Sequence, residues 1–462
     1  MKKIYKQVNI KFFLIVTLLI ISSCESLIET ESPNNQIGTN EVFEDTTMVQ
    51  SALASIYTAV RNTSMFSGST DGLGIGLSLY TDELDCYYPL GHSSGLYDIA
   101  QNNVLSTNVY VGKIWNNAYA LLYAINNFII QLEKTKSIEE LDKHIYLGEA
   151  YFLRGIIYFN LTQLFGDIPY TTETNYQLNS VLKKTNKKEV SELIESDFVQ
   201  AMLFLSDNYR SNLRIYPNKT TAKLLLSKLY LETNQFQKAE EYSKEIVNNP
   251  LYQLEKDVNK VFTNTSKGVM WQIKPNANNN ATLEAINFYF EQGPPQSFAL
   301  NNKWVEQMDE QDLRKKEWIK TIINNGKKWY RPIKYKKLNG QNTDEFSIVF
   351  RIEEAYFVYI ESLVYQNKVD EATNILNSIK TRAGLAKLSN INKDDLIKEM
   401  LNEMQYEFFT EQGHRFFDLK RNKQLERMTT IKPNWKEYHL LLPYPEKEIL
   451  LNGNLKPQNN GY

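Results

Sequence analysis

An all-α fold is predicted: helices paired and stacked into an α/α superhelical scaffold that supports a loop-rich, mostly irregular lobe. Three observations predict it. The stretch 147–170, LGEAYFLRGIIYFNLTQLFGDIPY, places Leu147, Tyr151, Arg154, Tyr158, Leu161 and Phe165 on one helical face. Phe152, Ile156, Phe159 and Gln163 fill the opposite side, so this helix is packed on most sides. A helix pair at 220–247 recurs at 355–382, with NQFQKA (234–239) matching NKVDEA (367–372) at an offset of 133 residues. Finally, Trp115, Tyr119, Leu122, Ile125, Ile129 and Leu132 mark another long helix. Only a short link near 136–141 separates it from the central one, so the two are antiparallel neighbours.

The chain has 462 residues, 42% hydrophobic and 23% charged, the ordinary balance of a globular protein with a sizeable core. Length alone allows two to three domains. A net charge of −2 gives no basic footprint for nucleic acid. Tyr (29) outnumbers Phe (22), and 6 Trp add to a supply of polar-tipped rings suited to ligand faces as well as cores.

At the start, Lys2, Lys3, Lys6 and Lys11 precede the apolar run 12–21, too short for an ordinary membrane-spanning helix. Ile21-Ser22-Ser23-Cys24 resembles a bacterial lipobox. Residues 1–23 are therefore expected to be a lipoprotein signal peptide, with Cys24 the lipidated residue. Cys86 then has no intramolecular partner, and the fold must stand on its core without a disulfide. Polar residues 24–40, with Pro33, Asn34, Asn35 and Gly38, read as a tether. Residues 41–462 are expected to form a single domain, its scaffold at about 41–62, 113–250 and 351–425 and its binding lobe at about 63–112 and 251–350.

Asp45 or Thr46 caps a first helix whose stripe is Val49, Leu53, Ile56 and Val60. Residues 63–112 intersperse Gly68, Gly72, Gly74, Gly76, Gly91 and Gly95 with Tyr80, Tyr87, Tyr88 and Tyr97 and read as a long irregular stretch, too aromatic to be disordered. The central helix stops at Gly166, and Pro169 prevents restart. A helix follows from Lys188 to about Leu205. In the first helix pair Ser227, Tyr230, Ala239 and Pro250 resemble a tetratricopeptide repeat. Between the pairs, Val269, Trp271 and Ile273 alternate like a strand, Asn276–Asn280 mark a polar loop and Gly293-Pro294-Pro295 a rigid turn. One long helix is expected from Asp394 to about Gln412, then an extended tail over 426–462.

In order along the chain, several motifs carry a wider resemblance. They are the lipobox with Ile56-Tyr57; Trp115-Asn116-Asn117-Ala118-Tyr119 with Ile125-Asn126; and Glu149-Ala150, Leu153-Arg154 and Tyr158-Phe159 ahead of Phe165-Gly166-Asp167-Ile168-Pro169. Arg351, Glu353–Ala355 and Glu361 then precede Leu376-Asn377 and Arg382-Ala383-Gly384-Leu385. Glu407, Glu411, Gly413, Arg415 and Phe417–Arg421 follow, and the chain ends with Leu442-Pro443-Tyr444-Pro445 and Gln458–Tyr462. Together they resemble the SusD/RagB family of outer-membrane nutrient-binding lipoproteins; Asn460 departs from the proline common before the final Gly-Tyr. The resemblance implies a tetratricopeptide-like scaffold and an outer-membrane, cell-surface location. It also implies a SusC-like TonB-dependent transporter as partner, and a glycan or, in some members, a peptide as ligand. It implies a binding protein, not an enzyme; no cofactor is expected.

The matched motifs are scaffold motifs. Arg154, Asp167, Glu411, Arg415 and Asp418 are read as structural; Arg154, buried on the central helix, needs a carboxylate partner, and Glu407 or Glu411 is expected. The four histidines are never within four residues of one another, so no metal-ligand pair is present. No phosphate-cradling loop and no singled-out carboxylate pair is found. Sugar rings lay C–H faces on aromatic planes and give hydroxyls to polar neighbours. On that chemistry the ligand candidates are Tyr80, Asp82, Tyr87, Tyr88, Trp271, Tyr289, Trp329 and Tyr330, with Tyr87-Tyr88 and Trp329-Tyr330 favoured because they sit in loops the helical core does not use. Trp304, which with Asp312 and Arg314 resembles a structural segment of the family, is set aside. The leading reading is an oligosaccharide-binding surface lipoprotein. Peptide binding, a glycan-degrading enzyme and a repeat adaptor for a protein partner are the rivals.

Overall fold

The computed structural model describes residues 42–462. The expected signal peptide, Cys24 and the tether lie outside the described residues. Helix accounts for 53% and strand for 8% of the described residues, so the body is helical as predicted and the sheet belongs to the lobe. Helix α1 (Thr46–Asn62) starts on Asp45, whose carboxylate accepts from the Met48 amide at 2.9 Å. It lays Val49, Leu53, Ile56 and Val60 against α2 (Val109–Lys134) and α3 (Glu140–Phe165). From there each helix packs on the next: α4 (Lys187–Phe204), α5 (Lys219–Glu232) and α6 (Phe236–Val247), then α7 (Ile352–Tyr365), α8 (Val369–Arg382) and α9 (Lys393–Phe408).

The stack runs through the insertion at 248–351 as if it were absent. Phe236 on α6 and Tyr365 on α7 stack at 4.8 Å, and Gln366 donates to Glu240 at 2.6 Å. The two helix pairs turn alike: Asn234 (φ 57°) and Asn367 (φ 61°) take the left-handed conformation that asparagine tolerates best after glycine. Close approach sets α3 against α4. A Cβ on Gly155 would stand 2.6 Å from the Phe198 ring, so glycine there is a packing requirement.

Arg154 is 6% exposed, and its guanidinium grips Asp197 of α4, with Nη2 to Oδ1 at 2.6 Å and Nε to Oδ2 at 3.0 Å; Nη1 reaches Asn126 of α2 at 3.2 Å. This corrects the expected pairing with Glu407 or Glu411. Asp197 lies one residue from inward-facing Phe198, which places it opposite Arg154 across the α3–α4 seam. Glu407 and Glu411 instead hold Arg351, at the end of the lobe's last strand.

The expected helix to Gln412 is also corrected: α9 ends at Phe408. Thr410 (φ 61°), Gln412 (φ 44°) and Gly413 (φ 73°) then turn the chain before α10 (His414–Arg421). The turn is held by Lys334, which donates to the Glu407 and Phe409 carbonyls at 2.8 Å each. Arg415 then pairs with Asp82 through two bonds of 2.9 Å, and Asp418 accepts from Arg421 at 2.7 Å. Asp167 accepts the Lys187 amide at 2.8 Å, starting α4.

The lobe is more regular than expected. Within 63–112 lie a buried helix, Leu73–Tyr80, a strand β1 (Leu84–Cys86) and a helical turn, Leu96–Ala100. Within 251–350 lie β2 (Val269–Ile273), β3 (Phe298–Leu300), β4 (Ile319–Asn324), β5 (Lys327–Pro332) and β6 (Ser347–Arg351). β1, β3, β5 and β4 form one antiparallel sheet in that order; β2 and β6 pair separately. The tail folds back on α3 and is only partly extended. It carries α11 (Glu446–Leu451), Tyr444 donates to the Asp167 carbonyl at 2.6 Å, and the Leu442 amide to the Leu164 carbonyl at 2.7 Å.

Arg154→Ala strands the Asp197 carboxylate in the seam and is expected to cost about 3–5 kcal/mol in denaturant unfolding. Adding Asp197→Ala should return a large part of that loss. A double variant no more stable than Arg154→Ala would refute the pairing.

Candidate functional site

Strand alternation sorts the lobe's aromatics. Leu300 pairs with Tyr330 and Leu84 with Leu300, so these side chains face the main core. Asp85 pairs with Ala299, Ile322 with Trp329 and Lys320 with Arg331, and these face outward. Tyr87, two residues beyond Asp85, joins that outer face and packs on a separate apolar cluster of Phe290, Ala299, Ile322 and Trp329. Two stretches remote in sequence thus meet, one contributing Tyr87 and the other Trp329.

Beside this cluster, Arg331 donates to the Phe290 carbonyl at 2.6 Å, and its guanidinium lies 4.7 Å from the Tyr289 ring centroid. Tyr289 is 41% exposed and donates to Glu291. An open hollow of about 230 Å³ is lined by Tyr289, Lys320, Arg331, Tyr335 and Lys336. On the other side of β1, Tyr88 stacks on His92 at 3.8 Å and 7°, with the Phe298 ring edge-on at 5.0 Å. Burial pushes the Tyr87 and Tyr88 hydroxyls up in pKa, and the Glu291 hydrogen bond does so for Tyr289. All three stay protonated at neutral pH; the Tyr87 and Tyr88 hydroxyls can donate to a ligand, while the Tyr289 proton is taken by Glu291.

The remaining candidates are corrected. Tyr80 is fully buried among Phe416, Trp435 and His439. Asp82 is spent on Arg415. Trp271 lies under β6 between Phe66, Phe152 and Phe350, its indole donating to the Ile215 carbonyl at 3.2 Å. Tyr330 is buried, its hydroxyl 3.3 Å from Glu306. The favoured pair Trp329-Tyr330 is on a strand, not in a loop, and its members part to opposite faces. Trp329 is itself 8% exposed and forms the floor of the outer face. Arg331, Lys320 and His92 were overlooked. The signal for Arg331 and Lys320 was Asn325-Gly326 between alternating runs, a strong hairpin mark, and Asn325 and Gly326 take φ of 50° and 75°.

Among the described residues no group of three or more His, Cys, Asp or Glu could hold a metal ion. Nor does an acid pair face the outer hollow. Glu83 points behind the sheet, accepting from Ser78 at 2.6 Å.

Comparison with known proteins places the chain. Residues 206–462, more than half of it, match the SusD family, and residues 31–231 match a SusD-like family described as starch-binding and associating with the outer membrane. The chain belongs to the SusD family. The family is one of glycan-binding, non-catalytic proteins. The chain is 26% identical to SusD-like protein P2 of Formosa agariphila over 98% of its own length and 99% of the relative's. It shares its fold with a SusD superfamily protein from Bacteroides vulgatus, at a TM-score of 0.77 and 19% identity over 91% of this chain and all of the other. It does so too with surface glycan-binding protein A of Bacteroides thetaiotaomicron, solved with laminarihexaose. There the TM-score is 0.74 and the identity 17%, over 90% of this chain and 99% of the other.

Burial drives the Glu83 carboxyl of this SusD-family chain up to about 7, above its ordinary value. The fold therefore keeps a proton that the unfolded chain releases. The stability this group contributes is full below about pH 4.5 and is lost as pH rises through about 7. Glu83→Gln should gain on the order of 1–3 kcal/mol at pH 8 and almost nothing at pH 4.5. Urea unfolding at the two pH values reads the difference, and an equal effect at both would refute it.

Proposed function

We propose that this chain is a cell-surface lipoprotein, anchored through Cys24. It captures oligosaccharide on the outer face of its sheet and delivers it to a SusC-like TonB-dependent transporter in the outer membrane. The observation that carries the reading is the convergence of Tyr87, Trp329 and Tyr289 on one face, beside Arg331 and Lys320. Rings supply apolar planes for pyranose C–H faces, while guanidinium, ammonium and phenol groups donate to ring oxygens and hydroxyls. A relative whose fold this chain shares holds laminarihexaose, and one matching family is described as starch-binding. Both support a glycan over a peptide.

The site is shallow and held by a rigid back. Tyr289 is exposed and the hollow is open, so a ligand can enter and leave without a lid, as a carrier that must release its cargo requires. Strand pairing and the Phe290 cluster hold the rings in place beforehand, so little ordering is lost on binding.

Tyr87→Ala combined with Tyr289→Ala should weaken oligosaccharide binding about tenfold while leaving thermal unfolding near that of the parent. Titration calorimetry with laminarihexaose and maltohexaose measures it. Binding of peptides in place of any saccharide would overturn the glycan reading. In cells, Cys24→Ser should release the protein from the membrane fraction, and its retention there would refute the anchor.

A further inference from the structure

A second hollow lies on the scaffold, remote in sequence from the sheet. It sits between α2, the 169–182 segment and the tail from Glu448 to Leu455, and it encloses about 570 Å³. Small-molecule sites span about 300–1,000 Å³. Trp115, Tyr119 and Tyr123 climb one face of α2 at four-residue steps, the first two rings 4.8 Å apart. The exposure rises along this ladder: Trp115 is 3% exposed, Tyr119 half-buried and Tyr123 54% exposed. Tyr176, 82% exposed, also lines the hollow.

The polar groups here are unusually free. The side chains of Asn116, Tyr123, Tyr176 and Glu448 have no hydrogen-bond or ion-pair partner among the described residues, although the structure pairs most others. Glu448 is half-buried, and burial pushes its carboxyl up with no cation to offset it. Among the described residues no Lys or Arg lines the hollow, so an anionic ligand meets no cation there. A half-buried carboxylate without a cation calls for uncharged hydroxyl donors, and the rings call for flat C–H faces. One ligand class offers both.

We propose that this groove is a second saccharide site, taking a short neutral oligosaccharide along the Trp115–Tyr119–Tyr123 ladder with its hydroxyls on Glu448 and Asn116. The site is independent of the sheet face. A chain carrying both can hold one glycan at two points, or hold a second while the first is passed on. Linking two sites raises avidity without new contacts.

The full chain is titrated with neutral gluco-, manno-, galacto- and xylo-hexasaccharides in parallel with two double variants. One is Tyr123→Ala with Tyr176→Ala in the groove; the other is Tyr87→Ala with Tyr289→Ala on the sheet face. The expected result is that at least one hexasaccharide still binds the sheet-face variant, and that adding the groove substitutions removes this binding. Glu448→Gln should weaken it about tenfold, with unfolding temperatures unchanged throughout. Loss of all binding in the sheet-face variant alone overturns the groove and leaves the sheet face standing. Full binding in the sheet-face variant with none in the groove variant supports the groove and overturns the sheet-face reading. Binding of every sugar to the groove variant as to the parent overturns the groove. So does a parent that binds none of them, and so does protection of the groove from deuterium exchange by a membrane protein partner but by no sugar.

Discussion

The Glu407 carboxylate is the interaction on which the architecture turns. It is fully buried at the end of α9 and meets three guanidiniums: Arg351 at 2.6 Å, Arg314 at 3.2 Å, and Arg382. Those arginines stand at the end of β6, in the lobe helix Leu313–Trp318, and at the end of α8. One carboxylate therefore fastens the inserted lobe to the stack. Burial works against its ionisation, but the three arginines outweigh burial and hold its carboxyl far below the ordinary range. Glu353, Glu403, Glu411 and Asp312 balance the cationic excess. Such a node contributes little net stability compared with an apolar filling, but any single partner removed leaves an uncompensated charge. It acts chiefly as a geometric constraint, since guanidinium forks accept only one arrangement of these elements.

That constraint explains how a large insertion can interrupt a repeat stack without disturbing it. The α6–α7 contact is made by rings and by Gln366 and Lys368 on Glu240, so the helix pairs meet directly. The insertion leaves and returns at neighbouring points, pinned by Arg351 and Lys334 on Glu411. Its sheet is then free to turn one face outward. Rings on that face are held by strand pairing on a rigid back, which suits recognition of ligands with flat, hydroxylated surfaces.

Most of the scaffold was legible in the residues. The helix pairs, the Asn turns, the stop at Gly166 and the buried arginine all follow from local periodicity and conformational preference. The lobe was less so. Glycines at 72, 74 and 76 suggested loop, yet Gly76 lies in a buried helix because the Tyr110 ring occupies the space its Cβ would fill. The Asn325-Gly326 hairpin was written plainly in the chain, and its strand period would have sent Trp329 and Tyr330 to opposite faces.

What the sequence by itself determined was the helical body, the family and the residue types that the proposed sugar-binding face needs, because these rest on periodicity and ordered motifs read within a few dozen residues. Only the tertiary structure decided that Asp197 rather than Glu407 holds Arg154. It alone separated Tyr87 and Tyr289 on the surface from Tyr80, Asp82 and Trp271 in the core, and brought the Trp115 ladder under the tail. Exposure and ion pairing depend on which distant segments cover a side chain, and that is set by the packing of the whole chain rather than by a residue's neighbours in sequence.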